Sequence, residues 1–430
     1  MGLFLKAFRV RPWEGRNSKE EFMRKFTAAF AFAALFAVLA NAAETTTKLV
    51  LFKAGTTAQQ RQSQIQALGG RLIADYEFVN ESLADFSNKA VGDVRAMLPS
   101  RAPNATGVEN NETLNWLNAV YAPLPAAAQV VGQARRNIDE GAVSTPAFSE
   151  AKSVDASAQM PWGIARVNAK SAWARGLDGS GVKVGIVDTG IDLSHPDLAG
   201  NIAASYNAVN HDISANDDHG HGTHVAGIIA GMGAGEDGVF GVAPKARIYA
   251  AKGLDAKGSG SVNNIVDAIN WTIGQKVKVI NMSLGAPRSL AAVDQAVKSA
   301  HDAGIAVICA AGNNGQAVNY PAASPGATAI AASDSSDNIA SFSSRGPQIV
   351  FIAPGKAIYS SFKGGQYKTM SGTSMAAPHA AGLAALAVQA GAADGDAAVE
   401  IMKSAASKLP NLSQDEQGTG LVDAGKISKK

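Results

Sequence analysis

Three residues whose types could carry out nucleophilic catalysis stand within two positions of a glycine: Asp188, His221 and Ser374. A serine hydroxyl is protonated near neutral pH and becomes an effective nucleophile only when a base accepts its proton. Histidine can act as that base, and an aspartate can hold the imidazole in the required tautomer and stabilise the imidazolium. The three residues could therefore support acyl transfer through a covalent intermediate on Ser374.

The local sequence predicts an element that would position each of these side chains. Asp188 ends the apolar run VKVGIVD, so we expect it at the carboxyl end of a strand, where parallel α/β sheets bind ligands. His221 opens the helical segment HGTHVAGIIAG, and Ser374 opens an alanine-rich helix in SGTSMAAPHAAG. The positive end of that helix would favour negative charge that develops beside the serine. Taken singly, the aspartate could instead be a turn residue and the serine a helix cap.

From Ala158 onward, short apolar runs alternate with helical segments. This pattern predicts an α/β fold with a doubly wound parallel sheet that is covered on both faces. The expected strands lie in VKVGIVD, ARIYAAK, KVKVINMSL and IAVICAAG, and the expected helices lie at 262–273, at 290–303 and from near Ser374. We expect residues 158–430 to form one domain.

The segment 43–121 is predicted to be a separate, small α+β domain. Its expected elements follow the order β-α-β-β-α-β of the ferredoxin-like split βαβ fold. They are a strand at 47–53, a helix at 56–68, strands from Arg71 and at 82–86, a helix at 90–98 and a last strand at 113–121. Residues 122–157, which are rich in Ala, Pro, Ser and Gln, are expected to be an exposed linker.

Residues 1–42 are interpreted as a leader that ends in a secretory signal peptide. From Met23, a candidate for the true start, two basic residues precede an apolar run and then Ala40-Asn41-Ala42. The apolar run from Phe26 to Ala40 is shorter than the roughly 20 residues that span a bilayer. We therefore expect the segment to be removed and the protein to be secreted, either outside the cell or into a periplasm. The alternative is a membrane-tethered N-terminus.

Composition limits the classes of protein that this chain can belong to. Its 430 residues are 46% hydrophobic and 17% charged, which excludes bulk disorder. A net charge of +2 and an aromatic content of 6% argue against a nucleic-acid partner. The single cysteine, Cys309, cannot form an intramolecular disulfide, and we expect it to be buried.

The run DDHGHGTH offers a metal cluster as an alternative to acyl transfer. It contains His219, His221 and His224 beside Asp217 and Asp218. The histidine spacings differ from the H-E-x-x-H pattern of metalloproteases, and no glutamate lies between them to act as a base. We therefore favour the serine chemistry and expect His224 to be a packed helix residue.

Four segments resemble the signature sequences of the subtilases, the subtilisin-like serine proteases. They occur in the order found in that family: VDTGID at 187–192, HGTHVAG at 221–227, AAGN at 310–313 and GTSMAAPH at 372–379. AQMPWG at 158–163 is similar to the mature N-terminus of subtilisins, and residues 47–121 resemble the inhibitory prodomain of the family. The aspartate, histidine and serine also follow one another in the chain order of subtilisin.

This resemblance implies roles for particular residues. Asp188, His221 and Ser374 would form the catalytic triad, and Asn313 would stabilise the oxyanion together with the backbone N–H of Ser374. Asn319 stands where subtilisin has glycine, so we expect a narrower pocket for the side chain that precedes the cleaved bond. The implied substrate-binding residues are Gly258, Ser259, Gly260, Ser283, Leu284, Gly285, Ala310, Ala311, Gly312 and Asn319.

The resemblance also implies a structural calcium ion. Gln159 and Asp197 match two ligands of the tight calcium site in the family, and calcium prefers such oxygen ligands. The loop at 231–241 that would complete the site differs in sequence and is one residue longer than in subtilisin. A plain surface loop is the alternative.

Together, these features predict a secreted serine endopeptidase that is made as a zymogen. The prodomain at 43–121 would assist folding and inhibit the enzyme, and the protein would cut itself within 122–157. Its expected partners are protein or peptide substrates and its own prodomain, with no nucleic acid and no membrane once the signal is removed, and we expect a monomer. The alternatives are a processing peptidase of narrow specificity and a catalytically silent subtilase fold that binds proteins.

Overall fold

A computed structural model describes residues 46–87, 89–120, 160–234 and 238–429. These residues belong to one compact unit. The predicted leader and signal peptide at 1–42, the predicted linker at 122–157 and Gln159 lie outside the described residues.

Strands and helices alternate along most of the described chain. The strands are β1 Thr47–Phe52, β2 Arg71–Tyr76, β3 Glu81–Asp85, β4 Ala105–Asn110, β5 Thr113–Asn115, β6 Lys183–Asp188, β7 Ile202–Asn207, β8 Arg247–Lys252, β9 Ser259–Ser261, β10 Val279–Met282, β11 Ala306–Ala310, β12 Ala327–Ser333, β13 Ile349–Pro354, β14 Ile358–Phe362 and β15 Gln366–Met370. The α-helices are α1 Ala58–Ala67, α2 Val91–Arg101, α3 Trp162–Arg166, α4 Ala169–Trp173, α5 His221–Ala230, α6 Val262–Gly274, α7 Ala291–Asp302, α8 Thr373–Gln389, α9 Gly395–Ala405 and α10 Gln414–Gln417. None of these described helices is long and apolar enough to cross a membrane.

Residues 46–120, called the N-terminal subdomain below, contain an antiparallel sheet of strand order β2-β3-β1-β4 with two helices on one face. Successive side chains of β1 point to opposite faces of the sheet. Val50 and Phe52 face the subdomain's own core, whereas Leu49 and Leu51 join the core of the larger domain. The order β-α-β-β-α-β agrees with the split βαβ prediction.

One predicted strand of the subdomain was wrong. The fourth strand of the sheet is β4, Ala105–Asn110, and not the segment 113–121. The sequence of β4, ATGVEN, contains one large apolar residue that is buried, Val108, so its strand signal is weak. Residues 113–115 instead pair with β9 of the larger domain. The apolar side chains at 114–120 therefore pack against the larger domain and not in the core of the subdomain.

The larger domain, residues 160–429, is built on a parallel sheet that has seven strands among the described residues, in the order β13-β12-β11-β10-β6-β8-β7. All neighbouring pairs in this sheet are parallel, as the alternating pattern predicted. Its central strands are apolar on both faces because helices cover both sides. Cys309 is fully buried in β11, where burial raises the pKa of its thiol.

Helix α8 lies in the middle of this domain. It packs on β10, β11, β12 and β13 and against α5, the helix that begins at His221. Alanine and glycine fill most of its positions, and small side chains let the neighbouring elements approach closely. The N-terminal end of α8, which carries Ser374, is thereby held beside the helix that carries His221.

Candidate active site

Asp188 and His221 form a buried hydrogen-bonded pair at the carboxyl end of β6. His221 Nδ1 lies 2.8 Å from Asp188 Oδ1, and the two side chains are 0% and 1% exposed. The same carboxylate oxygen accepts a hydrogen bond of 2.7 Å from the backbone N–H of Thr189. The aspartate is thus placed to fix the orientation of the ring and to stabilise its protonated form.

The turn before His221 is organised by Asp217, a role that the sequence did not predict. Asp217 is 4% exposed. Its Oδ1 accepts hydrogen bonds from Thr189 Oγ1 and from the backbone of His219 and Gly220, and its Oδ2 accepts two from Thr223. Thr189 Oγ1 in turn accepts from the N–H of Gly222. The sequence places Asp217 four residues before His221, where its type and position suggest only the metal-cluster alternative.

Ser374 lies in the first turn of α8, and its hydroxyl faces the end of the N-terminal subdomain. Ser374 Oγ donates to the carbonyl oxygen of Val120 over 2.9 Å and lies 3.3 Å from the carbonyl oxygen of Ser283. Ser283 Oγ donates to the carbonyl oxygen of Ser374 over 2.9 Å and accepts from Asn281 Nδ2. The serine is therefore held by buried contacts from β10 and the residues that follow it.

Asn313 presents its amide N–H group to the same place. Its Oδ1 accepts hydrogen bonds from the backbone N–H and the hydroxyl of Thr373, at 2.9 and 3.0 Å, whereas Nδ2 has no partner among the described residues. Gly372 lies among these groups. A Cβ atom placed on Gly372 would be 2.6 Å from the carbonyl oxygen of Val120, 3.0 Å from Asn313 Nδ2 and 3.6 Å from the backbone nitrogen of Ser374. A peptide carbonyl and two potential donors thus converge beside Ser374.

Residues 113–120 lie along a cleft in the larger domain. Strand β5 pairs antiparallel with β9, so that Leu114 faces Gly260 and Asn115 faces Ser259. Further along, the carbonyl oxygen of Ala119 accepts hydrogen bonds from the backbone N–H of Asn313 at 2.8 Å and from Asn319 Nδ2 at 3.3 Å. Residues 113–115 are therefore held in the cleft as a strand, and residues 116–120 reach the candidate nucleophile through a turn in which the N–H of Val120 donates to the carbonyl oxygen of Leu117 over 3.1 Å.

The structure brings five of the ten predicted substrate-binding residues into hydrogen bonds with this segment. Gly258, Ser259, Gly260, Gly285 and Asn319 make backbone or side-chain hydrogen bonds with it. Leu284, Ala310 and Ala311 are buried in the larger domain, and Ser283 contacts Ser374 rather than the peptide. Gly312 faces Asn319, since a Cβ on Gly312 would lie 2.6 Å from Asn319 Nδ2.

The other two histidines near His221 have separate environments. His224 is 0% exposed, its Nε2 lies 2.9 Å from the carbonyl oxygen of Lys368, and burial lowers its pKa to about 3. His219 accepts a hydrogen bond from the backbone N–H of His221, and burial, followed by the nearby His221, lowers its pKa. Within the described residues, no group of three His, Cys, Asp or Glu side chains is arranged to hold a metal ion.

Asp197, a predicted calcium ligand, is fully buried and accepts hydrogen bonds from the backbone of the loop at 231–241. The N–H of Ala234 donates to Oδ1 over 2.5 Å, and the N–H of Val239 donates to Oδ2 over 2.8 Å. One N–H group is thus bonded to each carboxylate oxygen, and residues 235–237 of the loop lie outside the described residues. Gln159 lies outside the described residues, and the calcium site stays a prediction.

Comparisons with known proteins identify the family of the chain. The sequence profile of the Subtilase family matches residues 179–420. An alkaline protease from Alkalihalobacillus alcalophilus is 42% identical over 316 residues, which cover 73% of this chain and 79% of that protein. Subtilisin Savinase from Lederbergia lenta and the M-protease from Shouchella clausii (strain KSM-K16) are each 44% identical over 267 residues. These alignments cover 62% of this chain, 97% of Subtilisin Savinase and 69% of the M-protease.

The matched region contains Asp188, His221, Asn313 and Ser374 and all seven strands that the structure describes in the parallel sheet. More than half of the chain is covered by the family profile. The chain belongs to the subtilase family and is a subtilisin-like serine endopeptidase.

Proposed function

We propose that this protein is a secreted endopeptidase that hydrolyses protein substrates through Asp188, His221 and Ser374, and that it is made as a zymogen that cuts itself. The observation that carries the proposal is the contact of 2.9 Å between Ser374 Oγ and the carbonyl oxygen of Val120. This geometry supports attack by Ser374 on the peptide bond between Val120 and Tyr121.

The catalytic residues have separate roles in the proposed reaction. Ser374 Oγ attacks the carbonyl carbon of the substrate while His221 accepts the hydroxyl proton. The C–N bond then breaks, His221 gives the proton to the departing amine, and the acyl group stays on Ser374. A water molecule releases the acyl group in a second round of the same proton transfers. Asp188 keeps its charge throughout and stabilises the imidazolium.

The oxyanion of each tetrahedral intermediate would be stabilised by two N–H donors. Asn313 Nδ2 is one, because Thr373 occupies Oδ1 of the same amide and so turns the N–H side toward Ser374. The backbone N–H of Ser374, at the N-terminal end of α8, is the other. Donors that are fixed before the charge develops stabilise the transition state without a cost of reorganisation.

The N-terminal subdomain acts as an intramolecular inhibitor in this proposal. Its residues 113–120 fill the cleft, so another peptide cannot bind there until they leave. A cut after Val120 lies just before the predicted linker at 122–157, so the linker would first stay on the mature enzyme. Trimming near Met160 would then require a second cleavage. Secretion follows from the signal peptide predicted at 23–42.

A serine-reactive fluorophosphonate probe tests the proposed nucleophile. We expect the processed wild-type protein to be labelled, because an activated Ser374 attacks the probe. Ser374→Ala should abolish labelling, whereas Ser371→Ala, in the same SGTS segment, should retain it. An unlabelled wild-type protein that has released residues 46–120 would overturn the proposal in favour of a silent binding fold.

A further inference from the structure

Trp116 is the largest buried side chain of the segment in the cleft. It is 0% exposed and is the largest of the fully buried side chains described. Its backbone N–H donates to the carbonyl oxygen of Gly258 over 3.0 Å, and its carbonyl oxygen accepts from the N–H of Gly285 over 2.9 Å. The peptide backbone is thus held from both sides at this one residue.

The indole ring makes a further, directional contact. Trp116 Nε1 donates to the carbonyl oxygen of Gly260 over 2.8 Å. No other side chain of the segment 113–120 donates to the β9 backbone in the described structure. A buried tryptophan is satisfied only when its N–H finds an acceptor, and here the cleft supplies one.

Two glycines make room for two more side chains of the segment. A Cβ on Gly258 would lie 2.7 Å from Leu117 Cδ1, and a Cβ on Gly285 would lie 2.9 Å from Val120 Cγ1. Leu117 and Val120 are 4% and 0% exposed. A larger residue at either glycine position would displace the side chain that now occupies the space.

The remaining side chains of the segment are less buried. Thr113, Asn115 and Asn118 are exposed, Leu114 and Ala119 are half-buried, and Asn115 Nδ2 donates to the carbonyl oxygen of Lys257 over 2.9 Å. The buried positions therefore form the pattern Trp-Leu-x-x-Val, with valine immediately before the bond that faces Ser374.

We infer that the cleft contains an indole-binding subsite, in which the carbonyl oxygen of Gly260 selects tryptophan, and that preferred substrates carry Trp-Leu-x-x-Val before the cleaved bond. This inference rests on the proposed function, because the cleft must cut the peptides that it binds. A bulky buried aromatic residue with a satisfied N–H is the kind of contact that dominates binding at peptide interfaces. The enzyme is thus selective for an aliphatic residue at the cleaved bond and an indole four residues earlier.

Fluorogenic peptides that span residues 113–124 test the inference on the processed enzyme. Changing the tryptophan to phenylalanine removes the N–H but keeps an aromatic ring, and should lower kcat/KM roughly fivefold. Changing it to alanine should lower kcat/KM at least about thirtyfold. The matched control, Asn118→Ala, should be cut like the parent peptide because that side chain is exposed.

Equal kcat/KM for the tryptophan and alanine peptides would overturn the indole subsite. If the parent peptide stayed uncut while the same preparation degraded casein, the inferred preference for Trp-Leu-x-x-Val would be overturned. Failure of the proposed function gives a different result, since neither the peptides nor casein would then be cut and the fluorophosphonate probe would not react.

A second measurement tests the subsite without any catalysis. In the full-length Ser374→Ala chain, Trp116→Ala should expose residues 113–120 and speed their cleavage by added thermolysin at least about thirtyfold. Trp116→Phe should have a smaller effect, and Asn118→Ala should have none. Identical thermolysin rates for the Trp116→Ala and Asn118→Ala proteins would overturn the inference even if the enzyme were inactive.

Discussion

Among single residues, Asn313 is the one whose orientation the proposed mechanism uses to stabilise an oxyanion. Both hydrogen bonds from Thr373 end on Oδ1, which leaves Nδ2 directed at the place where the carbonyl of Val120 meets Ser374. The neighbouring Asn314 has a structural role instead, because its Oδ1 accepts hydrogen bonds from the N–H of Gln316 and from Ser344 Oγ. The two adjacent asparagines therefore form a matched pair for experiment.

We expect Asn313→Ala to lower kcat by a factor on the order of 10² to 10³ and to change KM little, because the lost donor acts on the transition state. The backbone N–H of residue 313, which binds the carbonyl oxygen of Ala119, is retained in the variant. Steady-state hydrolysis of a peptide substrate measures both constants. Asn314→Ala should have nearly wild-type kcat, and a similar loss in both variants would argue that the turn, not the amide, matters.

At the scale of elements, the N-terminal subdomain supplies partners to two helices of the larger domain. Glu109 Oε2 accepts from the N–H of Ala292 in the first turn of α7, and Asn111 Oδ1 accepts from the N–H of Asn263 in the first turn of α6. Helix α7 has no side-chain cap of its own. A carboxylate at this helix end satisfies a free N–H and interacts favourably with the helix dipole.

A buried glutamate on the same docking face makes this association sensitive to pH. Glu81 lies opposite Leu51 in the sheet, is 0% exposed, and has no hydrogen-bond partner for either oxygen among the described residues. Burial, followed by repulsion from Glu109, raises its pKa well above the usual value, and Tyr76 is the other titratable group that interacts with it. Glu81 is therefore protonated in the docked subdomain over a range of pH in which it is charged when unfolded.

Because the folded pKa is raised, we expect the stability contributed by this site to be greatest below the ordinary pKa of glutamate. Stability should be lost as the pH rises from there toward the raised value, at about 1.4 kcal/mol per pH unit for one proton. In the Ser374→Ala full-length protein, Glu81→Gln should remove this component of the pH dependence of the unfolding free energy. Glu77→Gln, an exposed control, should keep it. Parallel pH profiles for all three proteins would contradict the assignment.

The loop at 231–241 gives a prediction about metal removal. Asp197 holds this loop through two backbone N–H groups that need no metal ion, so we expect a chelator to lower the thermal midpoint of the Ser374→Ala protein less than the loss of these contacts does. Asp197→Asn should destabilise the protein by about 2 kcal/mol, because one N–H then faces an amide NH₂ in place of a charged acceptor. A drop in the thermal midpoint on chelation that is as large as the effect of the substitution would instead support a bound calcium ion.

Strands that are buried on both faces could be predicted from the sequence. Strands whose pairing depends on residues far away in the chain could not. The strands VKVGIVD and IAVICAAG were predicted because a central parallel strand is a continuous apolar run. Strand β4 was missed because ATGVEN has little apolar signal, and 113–121 was assigned to the wrong sheet because its apolar residues fill the cleft. No local pattern reports which surface a strand will pair with.

The same limit applied to the site. Asp188, His221, Asn313 and Ser374 could be predicted as site residues because each stands in a short segment similar to those of a known family. Asp217 escaped notice because its role consists of five hydrogen bonds made within and near one turn, which a list of residue types does not reveal. The placement of Val120 at Ser374 depended on the docking of two domains, which the sequence of either one does not encode alone.

For the molecule as a whole, the proposed function makes the chain an enzyme whose first substrate is itself. The N-terminal subdomain, its extension at 113–120 and the cleft of the larger domain form one continuous structure that ends with a peptide carbonyl beside Ser374. In this arrangement, residues 113–120 would keep the enzyme inactive by occupying the cleft, and cleavage after Val120 would allow them to leave. It also specifies a single bond, between Val120 and Tyr121.

The most direct test of this account compares the secreted wild-type protein with Ser374→Ala by mass and by N-terminal sequence. We expect the wild type to yield an N-terminal fragment that ends at Val120 and a larger fragment that begins at Tyr121 or, after trimming, later. The Ser374→Ala protein should stay uncut at this bond. Cleavage of both proteins between Val120 and Tyr121, or cleavage of the wild type only elsewhere, would contradict the account.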